Sequence, residues 1–476
     1  MSEPSAPFAD RIEKSLHNPV LQVALDRNAE RRVAGRNTRF GELPDIEAVR
    51  DRGRAIRIET LTHLDRYLQQ FTANLEQNGA RVHWAASAEE ARQIILELVQ
   101  AAARPGTRPV VAKSKSMVSE EIHLNAALEQ AGCEVVETDL GEFIIQLRGE
   151  TPSHIITPAV HLRREDVSDL FHERFGMEPT LDVVQMTAVA RRELRRAYYR
   201  ADAGITGVNF GVAESGTIAI VTNEGNADLT KDVPRVHIAL MGLERLVPTL
   251  ADLEIMLRLL PRSATAQKAS SYVSLVNGPR RAGEPDGPDE FHLVLVDNGR
   301  SLALGTELAE ALLCIRCGAC LNVCPVFREI GGHGYGAVYS GPIGSVVSPA
   351  LFGSAFNELA NASSLCGACR DICPVRIDIP SMLLAVRARH VAAGQPPAWL
   401  KWGLKAWALG FGSRALYQAV QWAGGLGSPL LAKDGFIRRL PPPLDAWTGR
   451  RDFPVVPRES FRQRWQKRRR PIDDGR

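Results

Sequence analysis

Two short cysteine-rich stretches carry the chemistry that this sequence most clearly suggests. Seven of the eight cysteines lie between Cys314 and Cys373. The first stretch, CIRCGACLNVCP, has the spacing C-x2-C-x2-C-x3-C-P, and the second, SSLCGACRDICP, repeats it with Ser363 in place of the first cysteine. This spacing is typical of proteins with two iron–sulfur clusters, in which the cysteine before the proline binds the cluster of the other motif.

Exchange of that last cysteine divides the thiols into two predicted ligand sets and leaves the second set one ligand short. Ser363 oxygen, a water, hydroxide or other side chain, and Cys133 from elsewhere in the chain are candidates for the missing ligand, and a three-iron [3Fe-4S] cluster would need none. A zinc site is an alternative, but three thiols within seven residues followed by Cys-Pro fit zinc poorly. The predicted sets are Cys314, Cys317, Cys320 and Cys373 for cluster one, and Cys324, Cys366 and Cys369 for cluster two.

The bulk composition describes an ordinary globular chain with an unusual basic end. The 476 residues predict two to four domains, and the net charge is only +3. Residues 458–476 hold eight Lys or Arg against three Asp or Glu, so the remainder carries about −2 and nucleic acid is not a predicted partner. The tail leaves peripheral membrane contact open, although a solvated terminus is favoured.

The N-terminus lacks the apolar core of a signal peptide, and no run of about 18 uncharged apolar residues predicts a transmembrane helix. The cytoplasm is therefore the expected compartment. Clustered thiols there bind metal or do redox work more often than they form disulfides.

The elements that must position the cysteines divide the chain into four predicted segments. Residues 1–75 read as a helical arm, and residues 76–300 alternate short apolar runs with helical patterns, which predicts an α/β domain with a largely parallel sheet. Predicted strands include RPVVA, CEVVET, HIITP, GTIAIVT, RVHIALM and FHLVLVD. Residues 301–390 form the α-helical, ferredoxin-like two-cluster domain, and residues 391–476 form a helical segment with the basic tail.

The last segment, which reads as helical, carries four tryptophans. Packing against the metal domain or a partner subunit is the favoured role, and a membrane-interface face is the alternative. They are Trp399, Trp402, Trp407 and Trp422.

A second candidate site is a ligand pocket in the α/β domain. Lys113 and Lys115 directly follow a predicted strand, where open α/β sheets bind ligands, and could hold a carboxylate or phosphate. Glu214 and Ser215 lie in a glycine-punctuated turn before another strand and could face the same ligand. A solvated loop with structural glycines is the alternative, and His333 between the cysteine motifs is expected to be structural.

Both cysteine stretches, and segments such as GITGVNFGVAESGTIAIVTNEGN and VHIALMGLERLVPTL, resemble the lactate utilization protein B family. The resemblance spans about residues 80–380. It implies a lactate-utilization domain, similar in fold to the sugar-phosphate isomerase and CoA-transferase group, joined to a domain with two [4Fe-4S] clusters. In that family, three proteins together oxidise L-lactate to pyruvate, and this chain resembles the electron-carrying member.

The primary functional hypothesis is therefore an iron–sulfur electron-transfer subunit that works with other subunits of a lactate-utilization complex and an electron acceptor that the sequence does not identify. One alternative is a self-sufficient 2-hydroxy-acid oxidoreductase that uses the α/β pocket. Another is a ligand-binding protein whose clusters are structural or sensory.

Overall fold

The computed structural model describes residues 6–442, 444–449 and 451–469 and divides the chain into two compact units. The first unit is Met1–His390 and the second is Val391–Arg476. The last seven residues of the basic tail lie outside the described residues.

Ten strands of the first unit form two sheets. One sheet has six parallel strands in the order β1-β10-β7-β4-β2-β3, and the other is mixed, in the order β8-β5-β6-β9. The predicted α/β class with a largely parallel sheet is confirmed. The strands are β1 (Arg81–Ala85), β2 (Val110–Lys113), β3 (Glu134–Glu137), β4 (Ala203–Gly207), β5 (Phe210–Val212), β6 (Thr217–Thr222), β7 (Val236–Gly242), β8 (Leu246–Val247), β9 (Tyr272–Val276) and β10 (Glu290–Val296).

Helices cover the parallel sheet and surround the cysteines. In the first half they are α1 (Phe8–Leu16), α2 (Pro19–Gly41), α3 (Ile46–Thr62), α4 (Leu64–Gln77), α5 (Ala88–Ala102), α6 (Met117–Glu121), α7 (Leu124–Gln130), α8 (Leu140–Arg148), α9 (Arg164–Phe175) and α10 (Val183–Arg200). They continue with α11 (Asn226–Asp232), α12 (Leu250–Ala264), α13 (Arg300–Leu304), α14 (Ala319–Asn322), α15 (Pro325–Tyr335), α16 (Gly341–Phe352), α17 (Ala368–Ile372) and α18 (Ile379–Ala392). Short 3₁₀ helices span Leu243–Arg245, Ala309–Leu313 and Ser354–Asn361.

The central strands are mostly apolar because helices cover both faces of the sheet. Every residue of β2 and β7 is buried, as are six of the seven residues of β10. Parallel sheets covered on both faces require this kind of sequence. The predicted strands that coincide with β2, β3, β6, β7 and β10 are confirmed.

The strand prediction for HIITP is wrong. The segment 153–158 is a series of bends, and the ring of His154 accepts hydrogen bonds from the backbone N–H groups of Ile156 (2.9 Å) and Thr157 (3.3 Å). The side chain thus satisfies donors that a strand would offer to a neighbour. The bends lie against the cysteine domain, where a Cβ on Gly332 would collide with the carbonyl of Ser153.

The helical segment after β2 is divided into α6 and α7. His123, with φ of 52°, has a left-handed backbone conformation between α6 and α7. Such a residue ends an α-helix, since its carbonyl no longer points along the axis.

The predicted helical arm is confirmed as helix, and its helices are part of the core around the cysteines. α1 and α2 pack against α15, and α3 packs against α12 and the 3₁₀ helix Ala309–Leu313. Buried apolar side chains of α1, α2 and α3 belong to the same core cluster as Cys317, Cys320 and Cys324.

Arg57 of α3 joins this arm to both the sheet and the cysteine domain. The fully buried guanidinium donates to the carbonyls of Leu246 (2.7 Å), Leu312 (2.9 Å) and Leu313 (3.3 Å), and also to that of Glu244. One side chain therefore satisfies four carbonyl groups, three in 3₁₀ helices and one in β8.

The second unit contains α19 (Ala398–Gly412), α20 (Arg414–Gly427), α21 (Phe461–Arg469), two 3₁₀ helices (Ser428–Leu431 and Asp445–Trp447) and a two-stranded antiparallel sheet of β11 (Phe436–Ile437) and β12 (Phe453–Pro454). The four tryptophans of α19 and α20 are exposed, by 53 to 68%. Their predicted role, packing against the metal domain or a partner subunit, stays a prediction. No helix among the described residues is long and apolar enough to cross a bilayer.

Replacing Arg57 with leucine is expected to destabilise the first unit by roughly 3 kcal/mol or more, because several buried carbonyls lose their donor. We expect the thermal unfolding midpoint to fall by at least about 5 °C, measured by circular dichroism on anaerobic protein. Arg31→Leu, at an exposed position of α2, is the matched control. A midpoint for Arg57→Leu as close to wild type as that of the control would contradict this role.

Candidate metal centre

The two cysteine motifs form two loops with the same local backbone. Arg316 and Gly318 of the first loop have positive φ angles of 60° and 70°, and Leu365 and Gly367 of the second have 54° and 85°. Each loop then enters a short helix, α14 or α17, and ends at the Cys-Pro step. The repeated spacing in the sequence therefore corresponds to a repeated structure.

Backbone N–H groups in and beside these loops donate to two of the cysteine sulfurs. The N–H of Arg316 donates to Cys314 Sγ at 3.4 Å, and that of Phe327 donates to Cys324 Sγ at 3.4 Å. Hydrogen bonds of this kind stabilise negative charge on sulfur and tune the potential of a cluster.

Ser363 has the same position in the second loop as Cys314 in the first. Its Oγ accepts a hydrogen bond from the N–H of Leu365 at 3.1 Å, as Cys314 Sγ does from Arg316. The Ser363 carbonyl is held by Arg387 at 2.7 Å. The serine oxygen thus makes the same local hydrogen bond in the second loop as the Cys314 sulfur makes in the first.

Most of the seven clustered cysteines are buried. Five of them are no more than 8% exposed, Cys314 is partly buried and Cys366 is exposed. Apolar side chains surround these thiols. Buried in the same core cluster are Ile315, Leu321, Ile372, Val375 and Ile377, and Val323 and Val326 pack against it.

Within the described ranges, no three His, Cys, Asp or Glu side chains come close enough together to surround a single metal ion. The thiols nevertheless interact electrostatically, in two groups. Burial raises the pKa of Cys317, and Cys373 and Cys314 raise it further. Burial likewise raises the pKa of Cys320, with Cys314 and Cys317 as the next causes.

The second group contains the remaining thiols of the two motifs. Burial raises the pKa of Cys369 to about 12, with contributions from Cys324 and Cys366. Cys320 also interacts with Cys369, so the two groups are neighbours. All seven side chains are thiols, which is the ligand type that iron–sulfur clusters take. The division into two ligand sets stays a prediction.

Cys133 belongs to a different core cluster from the cysteines of the two motifs. It is fully buried in the core of the parallel sheet with Leu128 and Val135, and burial raises its pKa. Its surroundings are those of a small apolar core residue. His333 is also accounted for, since its Nε2 lies 2.7 Å from the carbonyl oxygen of Thr151.

Of the four predicted pocket residues, Lys115 lines a cavity at the end of β2. Lys115 forms an ion pair with Glu142 at 2.8 Å and lines a cavity of about 400 Å³. Lys113 is fully buried and pairs with Glu137 at 2.7 Å. Burial alone would lower the pKa of Lys113, but Glu137 and Glu120 raise it above its usual value.

Glu214 and Ser215 lie outside that cavity, in the turn between β5 and β6. Glu214 accepts a hydrogen bond from the N–H of Leu250 at 2.6 Å, and Ser215 Oγ donates to Thr217 at 2.9 Å. Asn74 and Asn78 of the α4 region hold the carbonyls of this turn. These contacts give the turn a structural role.

Comparison with known proteins finds three family models that match separate parts of the chain. A LUD domain model matches residues 68–296, a 4Fe-4S dicluster domain model matches residues 310–377, and a model described as the C-terminal domain of lactate utilisation protein B matches residues 395–470. The dicluster match spans all seven clustered cysteines. The chain is thus a LUD-domain protein with a 4Fe-4S dicluster domain.

Relatives over the full length identify the family more closely. Lactate utilization protein B of Anoxybacillus flavithermus is 47% identical over 97% of this chain and 98% of that protein. The proteins of the same name from Geobacillus thermodenitrificans and Shouchella clausii are each 46% identical, over 98% of this chain and 98% and 97% of their own length. This chain belongs to the lactate utilization protein B family.

A solved DUF162 family protein from Deinococcus radiodurans is similar at a lower level. It is 14% identical and covers 49% of this chain and 98% of its own, with a TM-score of 0.27.

The exchange of ligands can be tested with paired cysteine-to-serine variants. Cys373→Ser should give the same electron paramagnetic resonance spectrum as Cys317→Ser, although the two residues belong to different motifs. Cys324→Ser should in turn resemble Cys369→Ser. Spectra that group by motif, with Cys373→Ser like Cys369→Ser, would contradict the exchange.

The position of Ser363 predicts a selective effect of Ser363→Cys. We expect a changed spectrum for the cluster that Cys369→Ser also alters, and no change for the other cluster, because the new thiol lies where Cys314 lies in the first loop. The exposed neighbour Ser364 provides the control, Ser364→Cys. Equal spectra for these two variants, or an effect confined to the first cluster, would overturn the assignment.

Proposed function

We propose that this protein is the electron-transfer component of a system that oxidises L-lactate to pyruvate, with two [4Fe-4S] clusters. The observation that carries the proposal is the pair of neighbouring thiol groups in a 4Fe-4S dicluster domain, within a chain of the lactate utilization protein B family. Cys314, Cys317, Cys320 and Cys373 hold one cluster. Cys324, Cys366, Cys369 and the oxygen of Ser363 hold the other.

Such clusters supply one-electron transfer. Oxidation of L-lactate to pyruvate removes two electrons and two protons from the substrate, so two neighbouring one-electron sites match the electron count of the reaction. The chain's own part is to shield these sites and set their potentials. Buried apolar neighbours exclude water, and the N–H groups of Arg316 and Phe327 stabilise sulfur charge.

The two sites differ in their access to solvent, which supports a direction for the electrons. Cys366 is the exposed thiol, whereas Cys317, Cys320 and Cys373 are buried. A partner protein or acceptor can approach the second cluster most closely at Cys366. The other subunits of the complex supply the remaining functions, and cytoplasmic location is part of the same proposal.

Deletion of the gene should abolish growth on L-lactate as the carbon source while growth on pyruvate continues, because only the oxidation step is lost. Complementation with the wild-type chain should restore growth, whereas Cys317→Ser and Cys369→Ser should each fail to do so. Measured growth curves decide the matter. Undiminished growth of the deletion strain on L-lactate, with no second copy of the gene present, would overturn the proposed function.

A further inference from the structure

The cavity that Lys115 lines lies at the carboxyl edge of the parallel sheet, beside the first cysteine loop. Its lining includes residues that directly follow β2, β3, β4 and β7, together with Arg316 and Tyr339 from the cysteine domain. Open α/β sheets bind ligands at this edge. The volume of about 400 Å³ is within the range of sites for small molecules.

Three arginines in the lining have no hydrogen bond to a carboxylate among the described residues. Arg32 donates to the carbonyl of Ala264 at 2.8 Å, and Arg245 donates to the carbonyl of Cys314 at 3.0 Å. Arg316 stacks on the ring of Tyr339 at 4.2 Å, and neither of its terminal nitrogens has a hydrogen-bond partner in the described part of the chain.

The carboxylate closest to Arg316 is already engaged. Glu244 Oε1 lies 3.6 Å from Arg316 Nη2, beyond hydrogen-bond distance, while its other oxygen is 2.5 Å from Arg300. Burial would raise the pKa of Glu244, but Arg300 and Arg316 lower it to about 2. The arginines of the lining therefore leave positive charge for a ligand to balance.

Two further carboxylates restrict what that ligand can be. Asp139 and Glu224 also line the cavity, where they accept hydrogen bonds from the backbone N–H groups of Glu142 (3.1 Å) and Leu140 (3.0 Å). Burial and the neighbouring Asp139 raise the pKa of Glu224 to about 7, and burial raises the pKa of Asp139, so the pair is partly protonated near neutral pH. The negative charge that remains on the pair disfavours a second negative charge on the ligand, and a carboxylate oxygen can accept a hydrogen bond from a hydroxyl group. A monoanion with a hydroxyl fits this lining better than a phosphate dianion.

We infer that this cavity binds a small 2-hydroxy monocarboxylate, with its carboxylate at Arg245 and Arg316 and its hydroxyl toward Asp139 and Glu224. The choice of L-lactate as the ligand rests on the proposed function. Arg316 lies between two ligands of the predicted first cluster and its N–H donates to Cys314 Sγ, so the bound acid lies next to that cluster.

The test is calorimetric titration of the anaerobically purified protein with L-lactate, followed by acetate and inorganic phosphate. L-lactate should bind more tightly than either. Arg316→Gln should weaken L-lactate binding roughly ten- to hundredfold, since a charged hydrogen-bond donor is lost. The exposed Arg235→Gln, whose native partner is Asp289, should bind as the wild type does.

Ser270→Trp gives a second, independent variant. Ser270 lines the cavity but is distant in the sequence from every cysteine motif, so a bulky side chain there should obstruct binding without altering the clusters. Iron content and the visible absorption spectrum report on cluster assembly in each variant. If Arg316→Gln does not assemble its clusters, the affinity of Ser270→Trp for L-lactate decides whether the cavity is the binding site.

The site is overturned if wild type does not bind L-lactate, if phosphate binds more tightly, or if a variant with intact clusters retains wild-type affinity. Specific binding with normal growth of the deletion strain would instead overturn the proposed function and leave the site standing.

Discussion

The rest of the structure depends on one requirement: the irregular backbone of the cysteine loops must be buried with its carbonyl groups satisfied. A cluster-binding loop cannot use regular helix or strand bonds over its whole length, and an unpaired buried carbonyl is costly. Arginines of the N-terminal helices meet this requirement. Arg36 donates to the carbonyl of Ile372 at 2.8 Å, and Arg50 donates to those of Asp371 (2.7 Å) and Cys373 (2.8 Å).

A second requirement, that buried charges be paired, connects the cysteine domain to the parallel sheet. Arg300, which follows β10, pairs with Glu121 at 2.8 Å and with Glu244 at 2.5 Å, and the Tyr339 hydroxyl donates to Glu121 at 2.6 Å. All four side chains are buried, so each charge needs the others. The network joins α6, the end of β7 and the cysteine domain, and it fixes the position of Arg316 next to the sheet. The cavity is a consequence of this junction.

Local sequence patterns predict much of the fold and of the cysteine loops. The remaining features depend on contacts between segments that are distant in the sequence. The cysteine spacing is repeated in the loop backbone, and continuous apolar runs marked the central strands. β4 was missed because its sequence, AGITG, is poor in strand formers. Gly204 is needed there, since a Cβ would collide with the carbonyl of Thr230 in α11. Arg245 and Arg316 gave no signal in the sequence as a pair, because only the fold brings them into one cavity.

The two sides of the dicluster domain have different surroundings, and this difference gives the proposed function a physical direction. Cys314 lies beside the cavity, with its carbonyl bound by Arg245, whereas Cys366 faces solvent. Cys320 and Cys369 interact across the space between the two thiol groups. A substrate bound at the sheet edge would therefore meet the first group, and an acceptor approaching from solvent would meet the second. In the proposed assignment the missing thiol belongs to the second group, so a serine ligand would alter the site closest to the acceptor and leave the all-cysteine site next to the substrate.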